Sequence, residues 1–334
     1  MGNSLRTSSD AGLLFGRDVH DTILRLHGLM VDSLTTLTRT NAQEILAALK
    51  LVHLGTLQPM VNWLAGVPAR RLSRKILHFD DLVGQHGLAD AGRYLLDEFT
   101  QGVDIDGTQH VPRHGPLLVV ANHPGLVDAM AIWVALEARP DLKIIAADRD
   151  IFQLLPNMRR RLLIINPQVG CGSGMLREAI RHLRQGHALL TFPAGRIEPD
   201  PAVRRVTATV GWSDSSGLFV RAVPETNVLP IAVSGVISTT ALRHPVARCF
   251  TDRQERDWAA ATLQVLRPKL RDTRTRVVIG EPVGRDQANL ALAIDAAMAR
   301  SLARLNGELP LHQTAVRQGG GDEAGKQRMG FERT

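Results

Sequence analysis

Seven short apolar runs, divided by stretches with helical spacing, pattern the middle and end of this 334-residue chain. The runs fall near Val103 to Ile105, Leu117 to Ala121, Lys143 to Ala147, Leu162 to Ile165, Ala188 to Phe192, Leu229 to Val233 and Arg276 to Ile279. Each has the length of a strand, and most are apolar throughout, as strands buried on both faces are. Between them, helical periodicity near 126 to 138, 150 to 159, 174 to 185, 254 to 267 and 287 to 305 predicts helices. Strands alternating with helices predict an α/β domain over 101–310, a mixed, mostly parallel sheet flanked by helices.

Helical periodicity also runs through 18–100, so an N-terminal helical hairpin is expected to precede the sheet. Lys50, His53, Gln58, Pro59 and Asn62 make its first part too polar for a spanning helix of about 20 apolar residues. Met60 to Val67, with Trp63, is apolar, and Arg70-Arg71-Leu72-Ser73-Arg74-Lys75 follows it. Apolar insertion plus attraction to anionic headgroups, roughly 1 kcal/mol per cation, is what a segment lying on a membrane needs. The same pattern fits an ordinary hairpin with a solvated basic end. Residues 1–17 and 311–334, the latter with Gly319-Gly320-Gly321, are expected to be disordered. Met1-Gly2 does not open a myristoylation site, because Arg6 stands where serine or threonine is required.

An apolar content of 44% is enough for a substantial core. Two cysteines, Cys171 and Cys249, give neither a disulfide framework nor a metal-ligand set, and the first residues lack the pattern of a secretory leader. The expected location is therefore peripheral, on the cytoplasmic face of a membrane. Net charge is +7, and lysine occurs only at positions 50, 75, 143, 269 and 326, so arginine carries the basicity. Arginine forks suit phosphate. A codon-biased genome explains the excess equally well, so only clusters beside apolar or catalytic residues count; these point to a lipid surface rather than nucleic acid.

The candidate chemistry sits in Asn122-His123-Pro124-Gly125-Leu126-Val127-Asp128, at a strand-to-helix corner. A neutral imidazole there can take a proton from an attacking hydroxyl, while the carboxylate five residues on holds the other ring N–H and fixes the tautomer. Pro124 suits the first turn of the following helix, whose N–H groups are candidate oxyanion donors.

Two further blocks follow in order, Leu190-Thr191-Phe192-Pro193-Ala194-Gly195-Arg196-Ile197-Glu198-Pro199 and Asn227-Val228-Leu229-Pro230-Ile231-Ala232-Val233. Together the three resemble the glycerolipid acyltransferase superfamily over roughly 100 to 235, with Gly172 to Gly186 similar to the helix before its second block. The resemblance implies transfer of a fatty acyl group from acyl-CoA or acyl-carrier protein to a lysophospholipid, glycerol-phosphate or related lipid acceptor, without a covalent intermediate and with no cofactor or metal. It implies that His123 is the general base and Asp128 its orienting partner. Asn122, Gly125, Phe192, Pro193, Gly195, Arg196 and Pro230 are implied to line the substrate sites. A thioester is already activated, so a positioned base worth about 10² to 10⁴ in rate suffices together with orientation.

The chain departs from the family's pattern at two places. Ala194 stands where a glutamate is usual and the arginine directly follows the glycine, which weighs against glycerol-3-phosphate itself and is more similar to the hemolysin-like branch. Ile164-Ile165-Asn166-Pro167 replaces the usual Ile-Asp-Arg, leaving Arg149, Arg196 or Arg159-Arg160-Arg161 as candidate phosphate ligands. Glu198-Pro199-Asp200-Pro201 reads as a rigid exposed loop, and Trp133 and Trp212 as core or interface aromatics. Competing readings are a degenerate, non-catalytic lipid-binding protein and a thioester hydrolase. A dinucleotide loop at Gly170 to Gly174 lacks its third glycine at Met175, and no Gly-x-Ser-x-Gly elbow occurs.

Overall fold

The computed structural model describes residues 33–52, 54–165, 173–284, 289–311 and 316–318. The expected disordered start at 1–17, Asn166-Pro167, Gly170 to Gly172 and most of the expected disordered tail lie outside them. The chain divides into two compact units, Met1–Leu77 and His78–Thr334.

In the first unit a helix over 33–48 (α1) and the N-terminal part of α2 (Gln58–Gln85) bury Leu37, Ile45, Leu46, Ala65 and Ala69. The Asn41 amide donates to the Ser73 hydroxyl at 2.9 Å, and that hydroxyl donates to the Ala69 carbonyl at 2.8 Å. α2 continues through Pro68. Its other side is bare: Met60, Leu64 and Val67, with Leu57 in the 3-10 turn just before the helix, are each more than half exposed and Trp63 is 73% exposed. Among the described residues no helix is long and apolar enough to cross a membrane.

The second unit is built on one sheet of β1 (Val103–Asp106), β2 (Leu117–Ala121), β3 (Lys143–Ala147), β4 (Leu162–Ile165), β5 (Ala188–Thr191), β6 (Asn227–Ser234), β7 (Thr275–Ile279) and β8 (Val316–Gln318). Spatial order is β4-β3-β5-β2-β6-β7-β1-β8. The first five in that order are parallel, β7 runs antiparallel to β6 and parallel to β1, and β8 is antiparallel to β1. All seven expected strands form. β8 is additional and lies in the segment expected to be unstructured. The fold is thus a mixed, mostly parallel sheet flanked by helices.

The helices of this unit are α3 (Leu88–Phe99), α4 (Asp128–Ala135), α5 (Pro156–Arg159), α6 (Ser173–Arg184), α7 (Ser215–Ala222), α8 (Thr239–Arg243), α9 (Pro245–Arg248), α10 (Arg253–Leu266) and α11 (Leu290–Leu305). Leu118, Val120, Leu189 and Val228 pack with Ala179 and Leu183 of α6, Phe219 of α7, and Ile294 and Ala297 of α11. Alternation sends Leu117 and Val119, both fully buried, to the opposite face, where α4 lies on β6 and β7 and packs against α3. The helix expected over 150–159 is divided into a 3-10 turn, Asp150–Leu154, and α5, because Pro156 disfavours helical backbone at Leu155.

The α3–α4 seam is close enough to need a glycine. A Cβ added to Gly92 would sit 2.8 Å from the Met130 backbone carbonyl, which cannot rotate away. Gly92→Ala is expected to destabilise the fold by about 1–3 kcal/mol despite alanine's better helix propensity, read as a lower urea midpoint at unchanged slope.

Candidate active site

β2 ends at Ala121 and α4 starts at Asp128. Between them Gly125 (φ +91°) and Leu126 (φ +53°) both hold left-handed backbone, a conformation that costs a leucine about 1–2 kcal/mol. This double turn folds the start of α4 back over the loop. Asp128 Oδ2 accepts from His123 Nδ1 at 2.7 Å and from the Gly125 N–H at 2.7 Å, while Oδ1 accepts from the Ala129 N–H at 2.6 Å. A carboxylate only accepts, so the ring proton sits on Nδ1 and Nε2 keeps its lone pair. The Asp128 side chain is 3% exposed and that of His123 is 29% exposed, so the carboxylate is sealed while the imidazole reaches solvent.

Burial alone would lower the His123 pKa. The charge of Asp128, its hydrogen bond and the charge of Glu198 outweigh that effect and hold it above the usual imidazole value. The Phe192 ring stacks on the imidazole with centroids 4.4 Å apart. β5 lies beside β2 in parallel register, Val120 opposite Thr191, so the first two sequence blocks emerge from adjacent strand ends. Such carboxyl ends of a parallel sheet are where α/β proteins place ligands.

Glu198 completes the arrangement. Its Oε2 accepts the His123 backbone N–H at 2.8 Å, its own N–H donates to the His123 carbonyl at 2.8 Å, and its Oε1 accepts from Trp212 Nε1 at 3.0 Å. The expected exposed loop is therefore corrected: Glu198 is half-buried, and Asp200, 1% exposed, takes the N–H groups of Ala202, Gly235, Val236 and Ile237. Ala194 brings no carboxylate; the acid that reaches the histidine loop stands four residues later. Trp133 is buried as expected and stacks with Phe79.

Other expected site residues separate into two groups. Gly125 lies under the Ile197 side chain, 3.2 Å from where its Cβ would be, and Gly195 (φ +61°) closes a turn by donating its N–H to the Phe192 carbonyl. Pro193 is buried in that turn and Arg196 is exposed beside it. Asn122 has a structural task. Buried in the sheet, it donates one amide N–H to the Val233 carbonyl at 2.9 Å and accepts the Val233 N–H at 2.7 Å, so it joins two strand ends. Pro230 also belongs to the sheet. It is buried in β6 opposite Val120, and its carbonyl accepts from Gly280 just past the end of β7, where a missing N–H is tolerated. Pro124 precedes α4 by several residues, and the Gly125 and Ala129 N–H groups expected to serve an oxyanion are taken by Asp128.

The triple arginine is at the wrong end. Arg159-Arg160-Arg161 precedes β4, whose start lies level with the start of β3, whereas His123 follows the finish of β2. Arg160 and Arg161 instead line a hollow with Lys143, His182 and His187. Arg149 follows β3 on the same side of the sheet as His123.

A histidine held by a buried carboxylate lies at the carboxyl ends of a mostly parallel sheet. Residues 102–234, which contain the three blocks, match the family model described as Acyltransferase. No curated protein sequence matches. Among solved structures, the 1-acyl-sn-glycerophosphate (LPA) acyltransferase PlsC from Thermotoga maritima aligns at 20% identity and a TM-score of 0.43, over 71% of this chain and 83% of that chain. A likeness that remote carries no inference about substrate.

His123 is expected to titrate above about 6.5 in the wild type. Glu198→Gln removes one raising charge and shifts the midpoint down, and Asp128→Asn shifts it further. Histidine Cε1–H chemical shifts followed against pH read all three; an unmoved midpoint in Glu198→Gln contradicts the electrostatic reading.

Proposed function

We propose that this protein transfers a fatty acyl group from an acyl-CoA or acyl-carrier-protein thioester to a hydroxyl of a lysophospholipid, glycerol phosphate or related lipid. His123 Nε2 takes the acceptor's proton as its oxygen attacks the thioester carbonyl. Asp128 stabilises the imidazolium that forms; the C–S bond then breaks, and the proton passes to the departing thiolate. No acyl-enzyme forms. The observation that carries this reading is the hydrogen bond from Nδ1 to a sealed carboxylate, with Nε2 left as acceptor on a partly exposed ring.

The bare stripe of α2 supports a membrane setting. Leu57, Met60, Leu64 and Val67 recur at helical spacing beside Trp63, and exposed Arg70, Arg71 and Arg74 follow on the same helix. Apolar side chains with adjoining cations match the surface of an anionic bilayer, where the lipid acceptor resides. The reading is a peripheral lipid-biosynthetic enzyme.

Purified protein incubated with acyl-CoA or acyl-carrier protein and a panel of lysolipids, glycerol-3-phosphate and amino-lipids should yield an acylated product by mass spectrometry. His123→Ala should lower turnover by about 10² to 10⁴ with the fold intact, and Asp128→Asn should also lose activity. Acceptor-independent thioester loss would instead favour hydrolysis, and substantial transfer by His123→Ala would refute the assigned base. Separately, Met60→Ser with Trp63→Ser, or Arg70, Arg71 and Arg74 all changed to alanine, should reduce flotation with anionic vesicles; undiminished flotation in both would count against the α2 surface.

A further inference from the structure

A groove of about 450 Å³ runs between α1 and α2 in the first unit. Its α2 wall is Asn62, Gly66 and Arg70, which recur every fourth residue and so stand on one line of the helix. That line falls between two others. On one side are Ala65, Ala69 and Ser73, all buried, the last bonded to Asn41 of α1; on the other is the bare stripe of Met60, Trp63, Leu64 and Val67. The groove therefore opens beside the stripe. Gly66 weakens a helix interior, yet a Cβ added to it would meet no atom within 4 Å, so no close packing calls for the glycine. What its missing side chain leaves is room in the groove. Because Asn41 bonds Ser73, Arg39 and Arg70 enter from opposite helices at the same end. Both are exposed, and neither has an ion pair with any described residue. From Arg70 the α2 wall runs about 12 Å to Asn62, and Leu34, Ala42 and Leu46 form the apolar part of the α1 wall.

We infer that this groove is the seat of one anionic phospholipid, its phosphate held by Arg39 and Arg70 and the first part of an acyl chain lying over Gly66. Guanidinium forks bind phosphate oxygens in pairs, and the apolar wall suits methylene groups better than water. The volume is in the range of small-molecule sites and accommodates a headgroup with the start of one chain. The occupant is a lipid rather than free phosphate because the two cations stand at one end of an apolar channel. Its mouth borders the stripe that meets the bilayer, so a lipid of that leaflet enters sideways. No groove residue belongs to the candidate active site, so this lipid is a bound membrane component and not the acyl acceptor. Its consequence is attachment selective for anionic lipid at one molecule per chain, beyond general adsorption to charge. The inference rests on the reading of α2 as a membrane surface for the lipid's source, and on the groove alone for one-to-one binding.

The test titrates the full chain with dihexanoylphosphatidylglycerol below its micellar concentration, so that calorimetry reads single lipid molecules without a bilayer. Wild type should bind it one to one, about tenfold more tightly than zwitterionic dihexanoylphosphatidylcholine. Gly66→Leu fills the groove without touching its neighbours and should weaken binding about tenfold. Gly66→Ala strengthens the helix as much but adds little bulk, and should stay near wild type. Equal loss in both would point to a stiffer helix instead of a filled site and overturn the inference. Arg39→Gln/Arg70→Gln should abolish the preference for the anionic lipid, whereas Arg71→Gln/Arg74→Gln, the same charge loss outside the groove, should keep it. Equal loss there would reduce the effect to general attraction and overturn the site. Inorganic phosphate binding as tightly as the lipid would overturn the lipid as occupant. Flotation of wild type with phosphatidylglycerol vesicles separates the two readings. Without flotation, one-to-one binding lost in Gly66→Leu keeps the groove and removes the membrane surface; with flotation, affinity unchanged in Gly66→Leu and Arg39→Gln/Arg70→Gln keeps the surface and overturns the groove.

Discussion

The site depends on what one buried carboxylate does with its two oxygens. Asp128 binds the loop N–H groups on either side of itself and, with the oxygen it shares with Gly125, the imidazole. Each contact is charge-assisted and shielded from water, which strengthens it and makes it costly to leave unmade. The aspartate therefore fixes a tautomer, a ring plane and the loop's path together, and the left-handed backbone at Leu126 is the strain that this arrangement sustains.

The sheet supplies the frame. β2 lies between β5 and β6, so the loop bearing His123 has a neighbour on each side. From one side come Phe192 and Glu198, which touch the ring and the backbone of the same residue. On the other, Asn122 is joined to Val233 by two hydrogen bonds, and the following turn is gathered by Asp200. Polar groups at these strand ends thus hold one another, and the imidazole Nε2 is left to act outward.

Strands buried on both faces, such as Leu117–Ala121, announce themselves because nothing but apolar residues fits there, and the His123–Asp128 pair is legible because the chemistry needs that spacing. The roles of Asn122 and Glu198 are not. An asparagine before a histidine looks the same whether its amide faces substrate or a neighbouring strand, and that choice is made by residues more than a hundred positions away. Glu198 and Asp200 alternate with prolines, as surface turns do. Here each acid faces inward because backbone N–H groups from distant segments converge on it. The tail strand, Val316–Gln318, has too little apolar content to be read as a strand, and its partner is β1, more than two hundred positions earlier.

That pairing has a consequence for how the molecule is made. β1, the first strand among the described residues, pairs there with residues 275–279 and 316–318. The inner strands β2, β5 and β6 have one another much sooner. Assembly by proximity along the chain therefore proceeds from the centre outward, and β1 is among the last of the described strands to be seated, its backbone edge open to wrong partners while the intervening residues are made.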